Sequence, residues 1–293
     1  MKGELVKIKT RDDLTLFGFL TKPNSSSKTA IVNIHGTSGN FYWDDFFEPL
    51  ENMASELGLA FLSTNNRGNG VYEVEAGTIS HGASLEKFED CLLDIDAWIE
   101  YCLDKGYQNI ILEGHSFGTE KSVYYMAKGK YRDKVIAVIL LGFSDNVGTQ
   151  KRYENKIGKN YLDEARKLFS EKKNEQLLSD LKGLAGELPI SAQTYLNFFS
   201  ENSENSIALP LRNGKNLTNF QNIKTPILGV IGDKDDGEYT IIPIIDAINL
   251  LKSENKNADV YQIKDCNHSF EGKEEQLVKI VREFLEKRVL IRG

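Results

Sequence analysis

The chain has 293 residues, enough for one large α/β domain with a small insertion and a core that needs no disulfide or metal support. Its 36 basic and 43 acidic side chains give a formal net charge of −7, which argues against a surface for nucleic acid or for an anionic membrane. No apolar run approaches the ~20 residues of a membrane span, and the start lacks the apolar core of a signal peptide. We therefore expect a cytoplasmic protein without stable membrane insertion.

The pattern of apolar residues alternates between strands and helices. Segments 4–10 and 14–21 flank a polar turn and predict a hairpin that opens the sheet. Short apolar runs typical of buried strands occur at 30–34, 59–64, 110–112, 135–141 and 226–232, and a last strand is predicted at 258–263. Helical spacing or helix end signals occur at 46–57, 85–102, 119–128 and 273–289. This alternation predicts a mostly parallel central sheet with helices on both faces.

A nucleophile elbow is predicted at residues 114–118, directly after the run 110–112. Gly114-His115-Ser116-Phe117-Gly118 fits the Gly-x-Ser-x-Gly pattern, in which a serine occupies a strained turn between a strand and a helix. The two glycines are needed because strand and helix pass too closely there for a Cβ atom. The five-residue pattern is weak by itself, and the strand before it and the helix after it make it specific.

The turn after the strand at 30–34 has the composition of an oxyanion loop, His35-Gly36-Thr37-Ser38-Gly39. Acyl transfer needs two backbone N–H donors aimed at the oxygen that becomes negative in the tetrahedral intermediate. In proteins with an elbow, one donor follows the nucleophile and the other comes from the loop after the third strand. These donors would be Phe117 and Thr37. We expect His35 to be structural, with its ring satisfied inside the loop.

The composition changes after residue 143. Residues 144–220 are rich in Lys, Glu and Asn and show helical spacing near 162–181 and 192–199. This is too long for a plain connection, so we predict a helical lid inserted between two core strands. The predicted division is a first core part at 1–143, the lid at 144–220 and a second core part at 221–293.

The remaining candidates for chemistry follow the later strands. A serine hydroxyl at pH 7 needs a base to take its proton, and the base needs a carboxylate to fix its tautomer. His268 follows the last strand and an Asp-rich loop at 233–236 follows an earlier one, in the order Ser, Asp, His. The three cysteines show no spacing for a disulfide framework or a zinc site, and we expect neither a metal nor a cofactor.

These motifs together resemble the α/β-hydrolase-fold serine hydrolases, of esterase or lipase type. Thr37 and its turn, the elbow, Gly232-Asp233-Lys234-Asp235 and Asn267-His268 match the oxyanion, nucleophile, acid and base loops of that superfamily. The family acid commonly falls three residues after the glycine, which implies Asp235. Asp233 and Asp236 stay possible. Asp145 is a further candidate because some members carry the acid after the preceding core strand.

The resemblance implies hydrolysis of a small or medium-sized carboxylic ester through an acyl-enzyme on Ser116, with His268 as general base and Asp235 as its orienting acid. The same residues could perform thioester hydrolysis, acyl transfer or carbon–carbon bond hydrolysis, because the pocket selects the substrate. The alternative to an enzyme is a protein that has the hydrolase fold and binds a ligand without turning it over. The expected partner is a small ester and not a nucleic acid; the sequence does not predict an oligomeric state.

Overall fold

The computed structural model describes residues 3–23, 28–74, 79–234 and 236–290. Eight strands form one sheet in the order β1-β2-β4-β3-β5-β6-β7-β8. The strands are β1 (Gly3–Lys9), β2 (Thr15–Thr21), β3 (Thr29–Ile34), β4 (Ala60–Thr64), β5 (Asn109–His115), β6 (Val135–Leu141), β7 (Ile227–Gly232) and β8 (Ala258–Ile263). Pairing is antiparallel between β1, β2 and β4 and parallel from β4 to β8.

Ten α-helices accompany these strands in the described ranges. They are α1 (Phe47–Glu56), α2 (Cys91–Asp104), α3 (Phe117–Lys128), α4 (Asn146–Ile157), α5 (Leu162–Ser170), α6 (Ala192–Phe199), α7 (Glu204–Ala208), α8 (Thr218–Gln221), α9 (Ile244–Glu254) and α10 (Glu274–Phe284). A π-helical turn, Leu285–Val289, extends α10. No helix in these ranges combines the length and the apolar character needed to cross a membrane.

The apolar core forms two layers, one on each face of the sheet. One layer joins the strands to α2, α3 and α9, and the other joins them to α1 and α10. The inner strands are buried on both sides, as their continuous apolar composition requires. The predicted mostly parallel sheet with helices on both faces is confirmed.

Helices α4 to α8 lie between β6 and β7 in the chain. Part of this segment has an apolar cluster of its own, which includes Tyr161, Leu178 and Tyr195. Phe198 of α6 packs instead against Phe117 at the start of α3, with ring centroids 5.4 Å apart. The segment therefore contacts the part of the core that holds the elbow.

The helix predicted at 85–102 begins later than expected, at Cys91, after a 3₁₀ turn at Phe88–Asp90. The preceding residues contact the segment between β6 and β7. Ser84 Oγ donates to Pro189 O, and Phe88 N donates to Asn197 Oδ1 instead of to a carbonyl of a helix. These long-range hydrogen bonds replace the first helical turn, and apolar spacing could not reveal them.

Candidate active site

Ser116 lies at the corner between β5 and α3, in a backbone conformation that few residues other than glycine adopt. Its φ is 55° and its ψ is −125°. Its N–H donates to Leu141 O of the neighbouring strand at 2.9 Å, which holds the corner in place. A Cβ atom at Gly114 would lie 2.3 Å from Gly118 O, and one at Gly118 would lie 2.1 Å from Ile34 O. Both glycines are therefore required by close backbone contacts.

His268, which follows β8, contacts the Ser116 hydroxyl. His268 Nε2 lies 2.8 Å from Ser116 Oγ, a hydrogen-bonding distance. The Tyr239 ring stacks on the imidazole with centroids 3.7 Å apart, and Gly142 lies close to its edge. Burial, with a smaller contribution from nearby His115, holds the pKa of His268 well below its usual 6.5. The ring is therefore neutral near pH 7, as proton acceptance from a hydroxyl requires.

His115 ties the loop of His268 to the elbow. Its Nε2 lies 3.0 Å from the carbonyl oxygen of His268, and because a carbonyl only accepts, Nε2 must carry a proton. Its Nδ1 lies 3.6 Å from Asp44 Oδ2. Burial raises the pKa of Asp44, although His115 opposes this. This pair was not predicted, because the second position of the elbow pattern accepts any residue.

Thr37 and Phe117 lie on either side of Ser116. A Cβ atom on Gly36 would lie 2.7 Å from Ser116 Cβ, so the turn that holds Thr37 is packed directly against the serine. Thr37 lines the cavity above Ser116. Phe117 is the first residue of α3, and its N–H has no acceptor within the helix. Thr37 and Phe117 thus lie next to Ser116 in the fold and in the chain, respectively.

Asp235, the predicted acid, lies outside the described residues. The alternative Asp145 has its carboxylate engaged at the start of α4, where Oδ1 accepts from Gly148 N at 2.8 Å. Asp145 also forms an ion pair with Arg212 and accepts from Arg212 N at 2.8 Å. Its contacts are those of a helix cap and of a buried ion pair.

The other two candidate acids also have structural partners. Asp233 accepts from Gln262 Nε2 at 3.2 Å and from Cys266 N at 3.4 Å. Burial raises the pKa of Asp233, but these hydrogen bonds outweigh it and the net pKa is lowered. Asp236 Oδ1 accepts from Ile244 N at 2.7 Å. Both carboxylates therefore stabilise the loops in which they lie.

A cavity of about 420 Å³ opens above Ser116, within the size range of small-molecule sites. Its floor is formed by the turn at 36–39, Ser116 and His268. One face of α4 and the turn at 184–188 form the opposite wall. The α4 side chains in this wall are Asn146, Thr149, Arg152, Tyr153 and Lys156. Polar and apolar surface contribute about equally to the lining, so the cavity suits a small or medium-sized substrate that has both hydrogen-bonding and apolar groups.

No group of three or more His, Cys, Asp or Glu side chains in the described part of the chain is arranged to hold a metal ion. Cys91, Cys102 and Cys266 are free and buried. Burial raises the pKa of the Cys266 thiol to about 11, with smaller opposing effects of nearby charges. A thiol with that pKa is a poor nucleophile.

The sheet order, the elbow and the position of the cavity at the carboxyl ends of the strands define the α/β-hydrolase fold. Residues 73–287 match the family described as a protein of unknown function, DUF1749, and the chain belongs to that family. A comparison with curated proteins found no significant match.

Solved structures share the fold over nearly the whole chain. Est1E from Butyrivibrio proteoclasticus with bound ferulic acid is 18% identical with a TM-score of 0.66, covering 97% of this chain and 99% of that one. The Pyrococcus furiosus esterase Pf2001 is 17% identical with a TM-score of 0.61, covering 98% and 91%. The α/β hydrolase GrgF from Penicillium sp. sh18 is 16% identical with a TM-score of 0.71, covering 98% and 99%. At these identities the likeness establishes the fold.

Proposed function

We propose that the protein is a serine hydrolase that cleaves a carboxylic ester through an acyl-enzyme on Ser116. The observation that supports this most directly is the 2.8 Å separation of Ser116 Oγ and His268 Nε2, both of which line a cavity. Among the similar structures, Pf2001 is named an esterase, GrgF is named an α/β hydrolase, and Est1E holds bound ferulic acid. Fold alone does not select a substrate, so the proposal depends on the site.

In this mechanism Ser116 Oγ attacks the ester carbonyl carbon while His268 Nε2 takes the hydroxyl proton. The carbonyl electron pair moves to oxygen, where the N–H groups of Thr37 and Phe117 would stabilise the negative charge. His268 then gives its proton to the leaving alcohol, and a water molecule hydrolyses the acyl-enzyme by the same route. A neutral His268, which its lowered pKa favours, is the form that can start this sequence.

We propose Asp235 as the acid that orients His268. The carboxylates of Asp145, Asp233 and Asp236 are each engaged by groups other than His268, which supports this choice. Asp235→Asn should lower kcat by about 10⁴-fold, because the amide favours the wrong imidazole tautomer. Asp233→Asn, on the same loop, serves as the control and should reduce kcat far less.

We also propose that residues 144–220 act as a lid over the site. The supporting observation is that α4 and the turn at 184–188 form a wall of the cavity opposite Ser116. A wall of this kind would set the size and polarity of the bound ester. Because the cavity measures about 420 Å³, short p-nitrophenyl esters should be hydrolysed faster than esters with long alkyl chains.

Labelling with a fluorophosphonate probe tests the proposal. The wild type should react covalently at one residue and hydrolyse p-nitrophenyl esters, and Ser116→Ala should do neither, with kcat/KM lowered by about 10⁴-fold or more. Ser269→Ala removes another serine that lines the same cavity and should keep both activities. Absence of labelling in the wild type, or equal labelling of Ser116→Ala, would contradict a nucleophilic Ser116.

A further inference from the structure

A buried ion pair lies beneath the site and is not used by the proposed chemistry. Lys121 Nζ of α3 is 2.5 Å from Glu86 Oε1, and both side chains are buried at 0% and 1% exposure. A buried ion pair adds little net stability, because removing two charges from water offsets their attraction. The pair therefore calls for a role other than stabilising the fold.

The ion pair is linked to the loop after β4. Lys121 Nζ also donates to Asn66 Oδ1 at 3.2 Å and lies 4.8 Å from the centre of the Phe117 ring. The same loop is held from its other side by Arg67, which binds Asp94 with its backbone N–H and its guanidinium. Asn66 is thus fixed between two sets of charged contacts.

Asn66 in turn sets the protonation of the His35 ring. Asn66 N donates to His35 Nε2 at 3.0 Å, and Asn66 Nδ2 donates to His35 O at 3.2 Å. Burial, with a smaller effect of Lys121, lowers the pKa of His35 to about 3, so the ring is neutral. Its one proton must be on Nδ1, which lies 2.7 Å from Gly36 O and donates to it.

This last hydrogen bond orients the peptide group that contains the Thr37 N–H. In a trans peptide the C=O and the following N–H point in opposite directions. Because Gly36 O points at the His35 ring, the Thr37 N–H points away from it. Among the described residues no protein group accepts a hydrogen bond from this N–H, and Thr37 lines the cavity.

We propose that Lys121, Glu86 and Asn66 are positioning residues that act through His35 to aim the Thr37 N–H at the oxygen of the tetrahedral intermediate. The inference rests on the proposed esterase function. None of the three side chains touches the substrate; they hold the donor in place before the reaction, so that no reorganisation is needed when charge develops. Through its contact with the Phe117 ring, Lys121 also packs against the residue that supplies the second donor.

Binding of a trifluoromethyl ketone distinguishes an effect on the oxyanion donors from an effect on the stability of the fold. Ser116 Oγ adds to the ketone carbon, His268 takes the proton, and the ketone oxygen becomes an anion that needs the same N–H donors as the intermediate. A competitive inhibitor such as the product acid binds without that addition. The ratio of the two affinities therefore reports on the oxyanion donors.

The first variant is the double substitution Glu86→Leu with Lys121→Met, which replaces the ion pair by apolar side chains and leaves no buried charge unpaired. We expect ketone binding and kcat to fall by about tenfold or more, with KM and product-acid affinity within about threefold of the wild type. The second variant, Asn66→Asp, keeps the oxygen that Lys121 contacts and loses the N–H that binds His35 O. It should show the same selective loss.

Tyr125→Phe is the matched control. Tyr125 lies on α3, as Lys121 does, and its hydroxyl donates to Asp96 of α2 in a buried hydrogen bond. The substitution removes that bond away from the turn of Thr37 and should leave ketone binding unchanged. Ketone affinity within about twofold of the wild type in Asn66→Asp, or in a folded double variant, overturns the inference. A wild type that neither hydrolyses esters nor binds the ketone overturns the proposed function instead.

Discussion

At the scale of single residues, the strained backbone at Ser116 depends on close contacts that only glycine at positions 114 and 118 permits. A φ of 55° is unfavourable for a serine, and it persists because the glycines at 114 and 118 let strand and helix pass in contact. The Ser116 N–H bond to Leu141 O adds a fixed point on the next strand. Backbone strain is thus balanced by the close contacts of strand and helix and by this hydrogen bond.

Gly118→Ala should destabilise the protein by about 3 kcal/mol, because its Cβ would lie 2.1 Å from Ile34 O, a backbone atom that cannot move away cheaply. Urea unfolding measures the free energy. Gly158→Ala is the control, since Gly158 has a positive φ of 66° but no atom within 4 Å of a Cβ. The control should cost only about 1 kcal/mol. Equal costs for both would show that contact at the elbow is not the cause.

The proposed ester hydrolysis should have a pH dependence that follows from the environment of His268. Only the neutral imidazole can accept the serine proton, so activity is lost as the pH falls through the pKa of His268. Burial holds that pKa below 6.5. We therefore expect the acid limb of kcat/KM to reach half its maximum below pH 6.5. A midpoint above 6.5 in a profile from pH 4 to 8 would contradict a buried, neutral base.

At the scale of secondary-structure elements, α4 contacts the loop that covers His268. Arg152 of α4 donates to the carbonyl oxygens of Gly237 and Glu238, and Asp145 N donates to Tyr239 O at 2.9 Å. Tyr239 stacks on the His268 ring. The segment between β6 and β7 is thereby connected to His268 through one short loop.

Arg152→Ala should free this loop and lower kcat/KM by about tenfold, the equivalent of one charge-assisted hydrogen bond. Arg152→Lys can retain only part of the contact and should give an intermediate value. Steady-state kinetics and hydrogen exchange of residues 237–239 would measure the effect. Lys151→Ala changes an exposed neighbour on the same helix and should match the wild type.

At the scale of the whole molecule, one buried carboxyl group in the central sheet connects stability to pH. Glu113 of β5 accepts from Asn33 Nδ2 of β3 at 2.9 Å, and its other oxygen has no partner in the described ranges. Burial raises the pKa of Glu113 to about 7, although the Asn33 bond opposes this. The folded protein therefore binds a proton that the unfolded chain releases near pH 4.5.

Because the folded-state pKa is the higher one, this group makes the protein less stable as the pH rises from about 4.5 to about 7, and its effect levels off above that. Glu113→Gln has no such proton, and its stability relative to the wild type should rise by up to about 3 kcal/mol over that range. Urea unfolding at pH 5 and pH 8 measures the difference. Glu48→Gln, at an exposed carboxyl, should not change the slope; an equal slope in Glu113→Gln would refute the prediction.

Much of the fold could be predicted because its signals are local. The run at 135–141 coincides with β6, since a strand buried on both faces must be apolar throughout. The segment at 258–263 coincides with β8, an edge strand that is only partly buried. The start of the helix predicted from residue 85 was wrong, because hydrogen bonds to residues 189 and 197 hold that stretch in another conformation. The lid and the roles of the site residues stay predictions.

Lys121 shows why part of the site could not be predicted. Its neighbours in sequence are polar, so the stretch looks solvent-exposed, yet it follows Phe117 and precedes Tyr125 by four residues and shares their buried face. This four-residue spacing was the one feature of the sequence that indicated a buried Lys121. Its partners Glu86 and Asn66 lie on distant loops, and nothing in the local pattern indicates that they meet.

The sequence by itself determined the alternation of strands and helices, the glycines of the elbow and the residue types suited to acyl transfer. These features depend on side-chain periodicity and on steric limits that act over a few residues. Only the tertiary structure decided which groups meet: His268 with Ser116, His35 with Asn66, and α4 with the cavity. Such contacts are set by the packing of elements far apart in the chain, and packing energy is a property of the folded whole.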